Sequence, residues 1–247
     1  MLLDSPSGKR HRLPDRTRIY AIGDIHGRLD LFQKLVRMIE QDNALRPRAK
    51  VKMIVLGDFI DRGPDSAEVV HALQAIAAKT RNLVVLKGNH EQAMVGGLAG
   101  DFDALELWLA YGGAATLASW GVPEALIGMH DVRALLAAAE QKIPASVTNW
   151  MDRLPTTYRA GDYLFVHAGV RPGVPLDRQE AKDLLWIRGS FLESGEDHGA
   201  MIVHGHSIRE EGADFQSNRI GIDTGAYRTG VLTALGIEAD RCWTLST

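Results

Sequence analysis

Gly57-Asp58-Phe59-Ile60-Asp61-Arg62-Gly63 follows the apolar run Val51-Lys52-Met53-Ile54-Val55-Leu56 directly, so two carboxylates and a guanidinium stand within five residues at the end of a strand candidate. Two shorter stretches have the same form. Gly23-Asp24-Ile25-His26-Gly27 comes after Arg18-Ile19-Tyr20-Ala21-Ile22, and Gly88-Asn89-His90-Glu91 comes after Asn82-Leu83-Val84-Val85-Leu86. Each is an apolar run, then glycine, then a side chain able to ligate a metal.

Between these stretches the period changes from strand to helix. From Leu29 to Asp42 the residues Leu31, Leu35, Met38 and Ile39 share one helical face. Pro64-Asp65-Ser66 is a helix-start signal, and Val69, Val70, Leu73, Ile76 and Ala77 form the apolar stripe up to Thr80. Asp24 and Asp58 are 34 residues apart and Asp58 and Asn89 are 31, each about one βαβ unit. The strands are therefore expected to be parallel neighbours, with ligands binding beyond their carboxyl ends, where all three stretches place their polar residues.

From about 92 to 154 the sequence turns Ala-, Leu- and Trp-rich, and Gly96-Gly97, Gly112-Gly113 and Gly121-Val122-Pro123 divide it into short helices, Asp131 to Gln141 being the clearest. This reads as a helical insertion that shapes access to the site. Strand character returns at Thr156 to Ala160 and Tyr163 to Val166 across a Gly161-Asp162 turn, followed by His167-Ala168-Gly169. A polar helix candidate spans Asp177 to Trp186, Arg188 follows it, and Ala200 to Val203 leads into His204-Gly205-His206. After Arg219 to Asp223 the chain closes with a hairpin, Gly230 to Ile237 and Arg241 to Leu245. These later strands predict a second sheet built largely from antiparallel pairs. Residues 1–16 read as a flexible arm, and 17–247 as a single domain carrying the insertion.

The composition narrows the function classes. The net charge is −3 and the single cysteine, Cys242, has no partner for an internal disulfide and no nucleophile context. The basic start, Lys9, Arg10, His11, Arg12, Arg16 and Arg18, has no interleaved aromatics, so a solvated leader is expected, not a nucleic-acid surface. No apolar run approaches the ~18 residues of a membrane span, and 1–14 lacks the apolar core of a signal peptide. The expectation is a cytoplasmic protein with neither membrane nor nucleic-acid partners; its oligomeric state is not readable.

Asp24, His26, Asp58, Asn89, His167 and one of His204 and His206 make a ligand set of oxygens and imidazoles without thiolate, suited to Mn, Fe or Zn. Six are too many for one open catalytic ion. They suit two, with Asp58 in the middle strand as the shared carboxylate, an arrangement that clamps displacement at phosphorus. Asp24 and His26, two apart, would project to one side of an extended segment. As caps and turns these acids would need no histidines beside them. His11, His71, His130 and His198 have no such context and read as solvated or packing residues.

Gly-Asp-Ile-His-Gly, Gly-Asp-Phe-Ile-Asp-Arg-Gly and Gly-Asn-His-Glu, in this order, resemble the three leading motifs of the phosphoprotein phosphatase branch of the calcineurin-like metallophosphoesterases. His-Ala-Gly and Gly-His-Ser resemble that family's last two ligand loops. The resemblance covers about 18–91 and 163–230. It implies an α/β fold, two mixed β-sheets sandwiched between helices, and two divalent ions, Mn²⁺ first with Fe or Zn compatible. Asp24, His26 and Asp58 would bind the first ion, and Asp58, Asn89, His167 and His206 the second. Gly-His-Thr in the family points to His206 alone, whereas the wider superfamily's Gly-His-x-His has the spacing of His204 and His206.

The resemblance also implies that a water bridging the ions attacks phosphorus. His90 would protonate the leaving oxygen, Asp61 would orient His90, and Arg62 and Arg188 would bind phosphate. Glu91, opening a helix, is expected to play a dipole or orienting part. For Asp223 and Tyr227 a turn role and a substrate role are equally open. The implied substrate is a phosphoserine or phosphothreonine protein or peptide, or a small phosphate ester. A symmetrical diadenosine tetraphosphate hydrolase is the rival enzyme, and a catalytically silent scaffold for phosphorylated partners is the third reading.

Overall fold

The computed structural model describes residues 11–128 and 131–247. Lys9, Arg10, most of the expected arm and His130 lie outside the described residues. The chain begins with β1 (Thr17–Ile22), α1 (Leu29–Ala44), β2 (Lys50–Val55), α2 (Ser66–Lys79), β3 (Leu83–Val85) and α3 (Asn89–Leu98). A helical stretch follows: α4 (Phe102–Trp108), a π turn (Leu109–Gly113), α5 (Ala114–Ser119), α6 (Glu124–Ile127), α7 (Val132–Lys142) and α8 (Ala145–Asp152). The rest comprises β4 (Thr157–Ala160), β5 (Tyr163–Val166), a 3₁₀ turn (Leu176–Arg178), α9 (Ala181–Trp186), α10 (Gly189–Leu192), β6 (Met201–His204), β7 (Asp214–Phe215), β8 (Arg219–Gly221), α11 (Ala226–Thr229), β9 (Thr233–Glu238) and β10 (Arg241–Ser246). Among the described residues no helix is long and apolar enough to cross a membrane.

Two five-stranded sheets form, in the orders β10-β9-β1-β2-β3 and β4-β5-β6-β8-β7. Side chains alternate across each strand, which divides the apolar residues among three layers. Ile19, Ala21, Ile54, Tyr163, Phe165 and Val203 meet between the sheets. Tyr20, Ile22 and Val55 face the other way, onto Leu35, Val69 and the helices of 92–154. Leu164, Val166 and Ile202 pack outward on Leu184, Ile187 and Phe191. The result is the α/β/β/α sandwich, with β1-β2-β3 parallel as the motif spacing predicts.

Three expectations are corrected. The C-terminal hairpin does not join the second sheet: β9 pairs antiparallel with β1 and β10 with β9. Strand β9 is buried on both faces, as a central strand must be, and its Gly236 leaves no room for a Cβ beneath the Trp243 ring. Nor is the second sheet largely antiparallel. Strands β5-β6-β8 run parallel and only the edge pairs β4-β5 and β7-β8 are antiparallel, because α9 and α10 form a crossover between β5 and β6. Finally, Asp177 to Trp186 is not one helix. Gln179 is extended there, and its amide donates to the carbonyls of Arg171 and Val174, separating the 3₁₀ turn from α9.

Candidate metal centre and active site

The carboxyl ends of β1, β2, β3, β5 and β6 converge, carrying Asp24 and His26, Asp58 to Arg62, Asn89 and His90, His167, and His206 to one rim. Asp24, His26, Asp58, Asp61, Asn89, His90, His167 and His206 are all buried. Asp58 is central. Its carboxylate shares one cluster with His26 and His90 and another with His167 and His206, the candidate ligand atoms in each lying within 4.8 Å of one another.

The backbone is bent to make this possible. Of seven described non-glycine residues at positive φ, five belong to the site: His26 (46°), Asp58 (45°), Asp61 (73°), Arg62 (67°) and His206 (63°). Such conformations persist only where surrounding contacts over-determine them. The β1 and β2 loops are laced together, with Ile25 and His26 N–H donating to the Asp58 carbonyl (3.1 and 2.9 Å) and Gly63 N–H to the His26 carbonyl (3.1 Å). Because His26 is left-handed, Asp24 and His26 do not project from an extended segment as expected: the chain turns at His26. Asp24 sits instead beside β6, its Oδ2 accepting the His206 N–H at 3.0 Å.

Glu91 does more than cap a helix dipole. Its buried carboxylate accepts N–H bonds from Asp58 (2.9 Å), Phe59 (3.0 Å), Ile60 (3.3 Å) and Gly88 (2.8 Å), so it ties the β2 loop to the start of α3. Burial, then the nearby Asp58, pushes its pKa up to about 7, while the four N–H donors all address the ionised form. Glu91→Gln turns an amide toward N–H groups. A loss of about 1–3 kcal/mol is expected, which lowers Tm by roughly 2–4 °C per kcal/mol. Thermal unfolding of the chelator-treated protein measures it, and an unchanged Tm would refute the clamp.

The imidazoles are oriented from behind. His26 Nδ1 meets the Ile60 carbonyl at 2.9 Å and His167 Nδ1 the Leu56 carbonyl at 2.9 Å. With those nitrogens donating, each Nε2 turns a lone pair inward, the arrangement that second-shell carbonyls give to ligating histidines. Around His167 Nε2 the other inward atoms are also acceptors, Asn89 Oδ1 at 2.8 Å and Asp58 Oδ1 at 3.3 Å. Asp24 Oδ1 and His206 Nε2 are buried without a hydrogen-bond partner. Burial, and then Asp223 and Asp58, drives the Asp24 pKa well above the usual carboxylate range. Burial and the neighbouring His167 push that of His206 down to about 2. Converging acceptors, crowded acids and unpartnered ligand atoms are the features that bound cations would satisfy, so the residues present fit metal ions.

His204 takes no part in these clusters. Its ring packs edge-on against Phe191, 5.1 Å between centroids, and its Nδ1 meets the Gly205 carbonyl at 3.0 Å. His206 is the one of the pair that faces Asp58 and His167.

His90 and Asp61 form a buried dyad, Nδ1 to Oδ2, at 2.6 Å. Burial opposes charge on His90, but Asp58 and the Asp61 hydrogen bond outweigh it and raise the pKa. Asp61 is itself held by residues that sequence reasoning missed. Trp108 Nε1 donates to both its oxygens (2.9 and 3.0 Å), and Thr116 Oγ1 donates to Oδ1 (2.5 Å) while accepting the Asp61 N–H (3.0 Å). The signal in the sequence is faint: a tryptophan and a threonine in an Ala- and Leu-rich stretch with no motif. Arg62 is also gripped by that stretch. Gly112 and Tyr111 offer it their carbonyls, and the Tyr227 ring lies 4.6 Å beneath its guanidinium. Gly112, at φ 111°, has no room for a Cβ beside the Arg62 side chain. Arg62 Nη2 stands 3.2 Å from His90 Nε2. Arg188 is exposed, and its charge is felt at His206.

A family model described as calcineurin-like phosphoesterase matches residues 17–224. Serine/threonine-protein phosphatase 1 of Salmonella typhimurium is 29% identical over 229 residues, 89% of this chain and 92% of that one. The symmetrical bis(5'-nucleosyl)-tetraphosphatase of Nitrosospira multiformis is 26% identical over 180 residues, 73% of this chain but 53% of that one. The chain thus spans about half the length of the tetraphosphatase. Among solved structures, a putative diadenosine tetraphosphatase superposes with a TM-score of 0.63 at 21% identity, covering 93% of both chains, a likeness of fold.

Proposed function

As this chain belongs to the calcineurin-like phosphoesterase family, a family of metal-dependent hydrolases, we propose that it is a phosphomonoesterase acting on phosphoserine and phosphothreonine in polypeptides. One geometric observation carries the chemistry: two ligand clusters share Asp58, and His90, a member of the first, is held by Asp61 in a buried dyad. The 29% identity to the Salmonella phosphatase over 92% of that protein's length supports this choice of substrate.

In this reading Asp24, His26 and Asp58 hold one cation and Asp58, Asn89, His167 and His206 the other. When bound, such ions supply positive charge against the phosphoryl oxygens and bring the pKa of a water toward neutrality. Arg62, fixed by two carbonyls and the Tyr227 ring, offers a fork of donors to the phosphoryl group, and Arg188 supplies a second from the exposed side. His90 Nε2 gives a proton to the leaving oxygen while Asp61 keeps the imidazole turned through Nδ1. Arg62 Nη2 contacts His90 Nε2 directly, so a phosphate that draws the guanidinium onto itself also frees that nitrogen for the leaving group.

Trp108 and Thr116 act one step further back, by holding Asp61. Trp108→Phe or Thr116→Val is expected to lower kcat about tenfold on an alkyl phosphate, the scale of one hydrogen bond to a charged group. The effect should shrink on 4-nitrophenyl phosphate, whose leaving group needs little protonation. Equal losses on both substrates would remove these residues from the proton-donating relay.

Dinucleoside polyphosphate hydrolysis is the second reading, supported by the 26% identity to the symmetrical tetraphosphatase. Initial rates on a phosphopeptide and on diadenosine tetraphosphate, both with Mn²⁺, separate the two. A large preference for the dinucleotide overturns the first.

A further inference from the structure

Four large apolar side chains are conspicuously exposed among the described residues: Leu45, at the end of α1, and Phe102 (66%), Leu107 (37%) and Tyr111 (50%). Three of the four thus fall within ten residues of one helical segment. A surface helix normally turns its apolar residues inward, and α4 does so with Leu105 and Trp108. Phe102 and Leu107 are apolar residues beyond that need, on the side facing water. The segment leads to the active site. The Tyr111 ring lies 6.3 Å from that of His90, centroid to centroid, and the Tyr111 carbonyl holds Arg62.

The charge of this segment is one-sided. Between Lys87 and Arg133 the chain contains no lysine or arginine, whereas Asp101, Asp103 and Glu106 are all exposed on or beside α4. Such a surface repels a polyphosphate chain and attracts basic groups. We propose that α4 and the π turn form a docking ridge for the polypeptide of a phosphoprotein substrate, taking apolar and basic side chains that flank the phosphorylated residue. This rests on the phosphoprotein reading above and narrows it. From Phe102 to Tyr111 the helical rise is roughly 13 Å, which an extended peptide spans in about four residues. The flanking residues that matter therefore lie two to five positions from the phosphorylated one.

The test uses phosphoserine peptides carrying leucine and arginine at those positions, on either side, against peptides with alanine there. Wild type is expected to favour the apolar-basic peptides by about tenfold in kcat/KM, mainly through KM, the scale for covering part of a large apolar side chain. Phe102→Gln/Leu107→Gln should abolish the preference and leave the rate on 4-nitrophenyl phosphate unchanged. Asp103→Lys/Glu106→Lys should turn it toward acidic flanks. Hydrolysis of all phosphopeptides without flank preference, or a preference that survives Phe102→Gln/Leu107→Gln, overturns the ridge while the phosphoprotein reading stands. Dissociation of an oligomer by that double variant, seen by light scattering, assigns the ridge to a second copy of the chain and also overturns it. Hydrolysis of diadenosine tetraphosphate but of no phosphopeptide overturns both.

Discussion

His90→Asn is expected to lower kcat by about 10²–10⁴, the usual scale for losing a positioned proton donor, while the purified protein keeps its metal. The asparagine cannot be protonated, yet it occupies nearly the same space beside Asp58. The backbone N–H of residue 90, which donates to Asp58 Oδ1 at 3.1 Å, survives the change. Metal content by elemental analysis and kcat, measured on the same preparation, check this. If metal fell in step with activity, His90 would be a ligand, a possibility that its place in the His26–Asp58 cluster makes concrete. The defect should also be largest for poor leaving groups, in line with Trp108 and Thr116.

Asp58→Asn should behave in the opposite way. Asp58 is the only residue common to both clusters, so its loss is expected to empty both positions and lower activity by roughly 10³–10⁵, the worth of several kcal/mol of charge stabilisation. In the metal-free protein the same change is expected to cost about 1–3 kcal/mol, short of unfolding a domain of this size. Burial opposes charge on Asp58, but His167, His90 and His26 outweigh it and hold the carboxyl well below the usual carboxylate range. The amide oxygen of the variant gives up that charge yet can still accept from the His90 N–H. Circular dichroism should therefore show a folded protein, and elemental analysis an empty one. A variant that retained both ions and most of its activity would dispose of the shared-carboxylate assignment. Taken together, His90→Asn separates proton donation from metal binding, and Asp58→Asn separates metal binding from folding.

Strand ends were legible because chemistry and periodicity change at the same residue: Ile22 closes an apolar strand and Asp24 begins the site, as Val55 and Asp58 do again. Local spacing also revealed α1 and α2: Leu31, Leu35, Ile39, Val69, Val70 and Leu73 are buried as the sequence predicts, whereas Met38 and Ile76 are half-buried, Ala77 is exposed, and Phe32 joins the buried face of α1. Partner choice was not legible. Apolar alternation marks Thr233 to Ile237 as a strand without saying that β1, more than 200 residues earlier, is its neighbour. The same holds for Asp61, whose ligands Trp108 and Thr116 are 47 and 55 residues away and belong to no recurring pattern. The extended reading of Asp24 to His26 failed because a left-handed φ at a histidine is dictated by the Asp58 and Gly63 backbone that meets it, not by its own residue type. His204 and His206 have the same chemistry and differ only in which way a single turn sends each ring.

The five left-handed backbone positions in the rim have a further effect. At His26, Asp58, Asp61, Arg62 and His206 the conformation is one that glycine adopts freely and that costs a side-chain-bearing residue about 1–2 kcal/mol. Each of these loops would relax if its functional residue were replaced by glycine, and each would then lose the group it exists to present. At Asp58 and Asp61 the buried partners left behind, the His90 N–H, Trp108 Nε1 and Thr116 Oγ1, cancel that relief, so variants screened only for heat resistance should accumulate glycine first at half-buried Arg62 and lose activity as they gain tolerance.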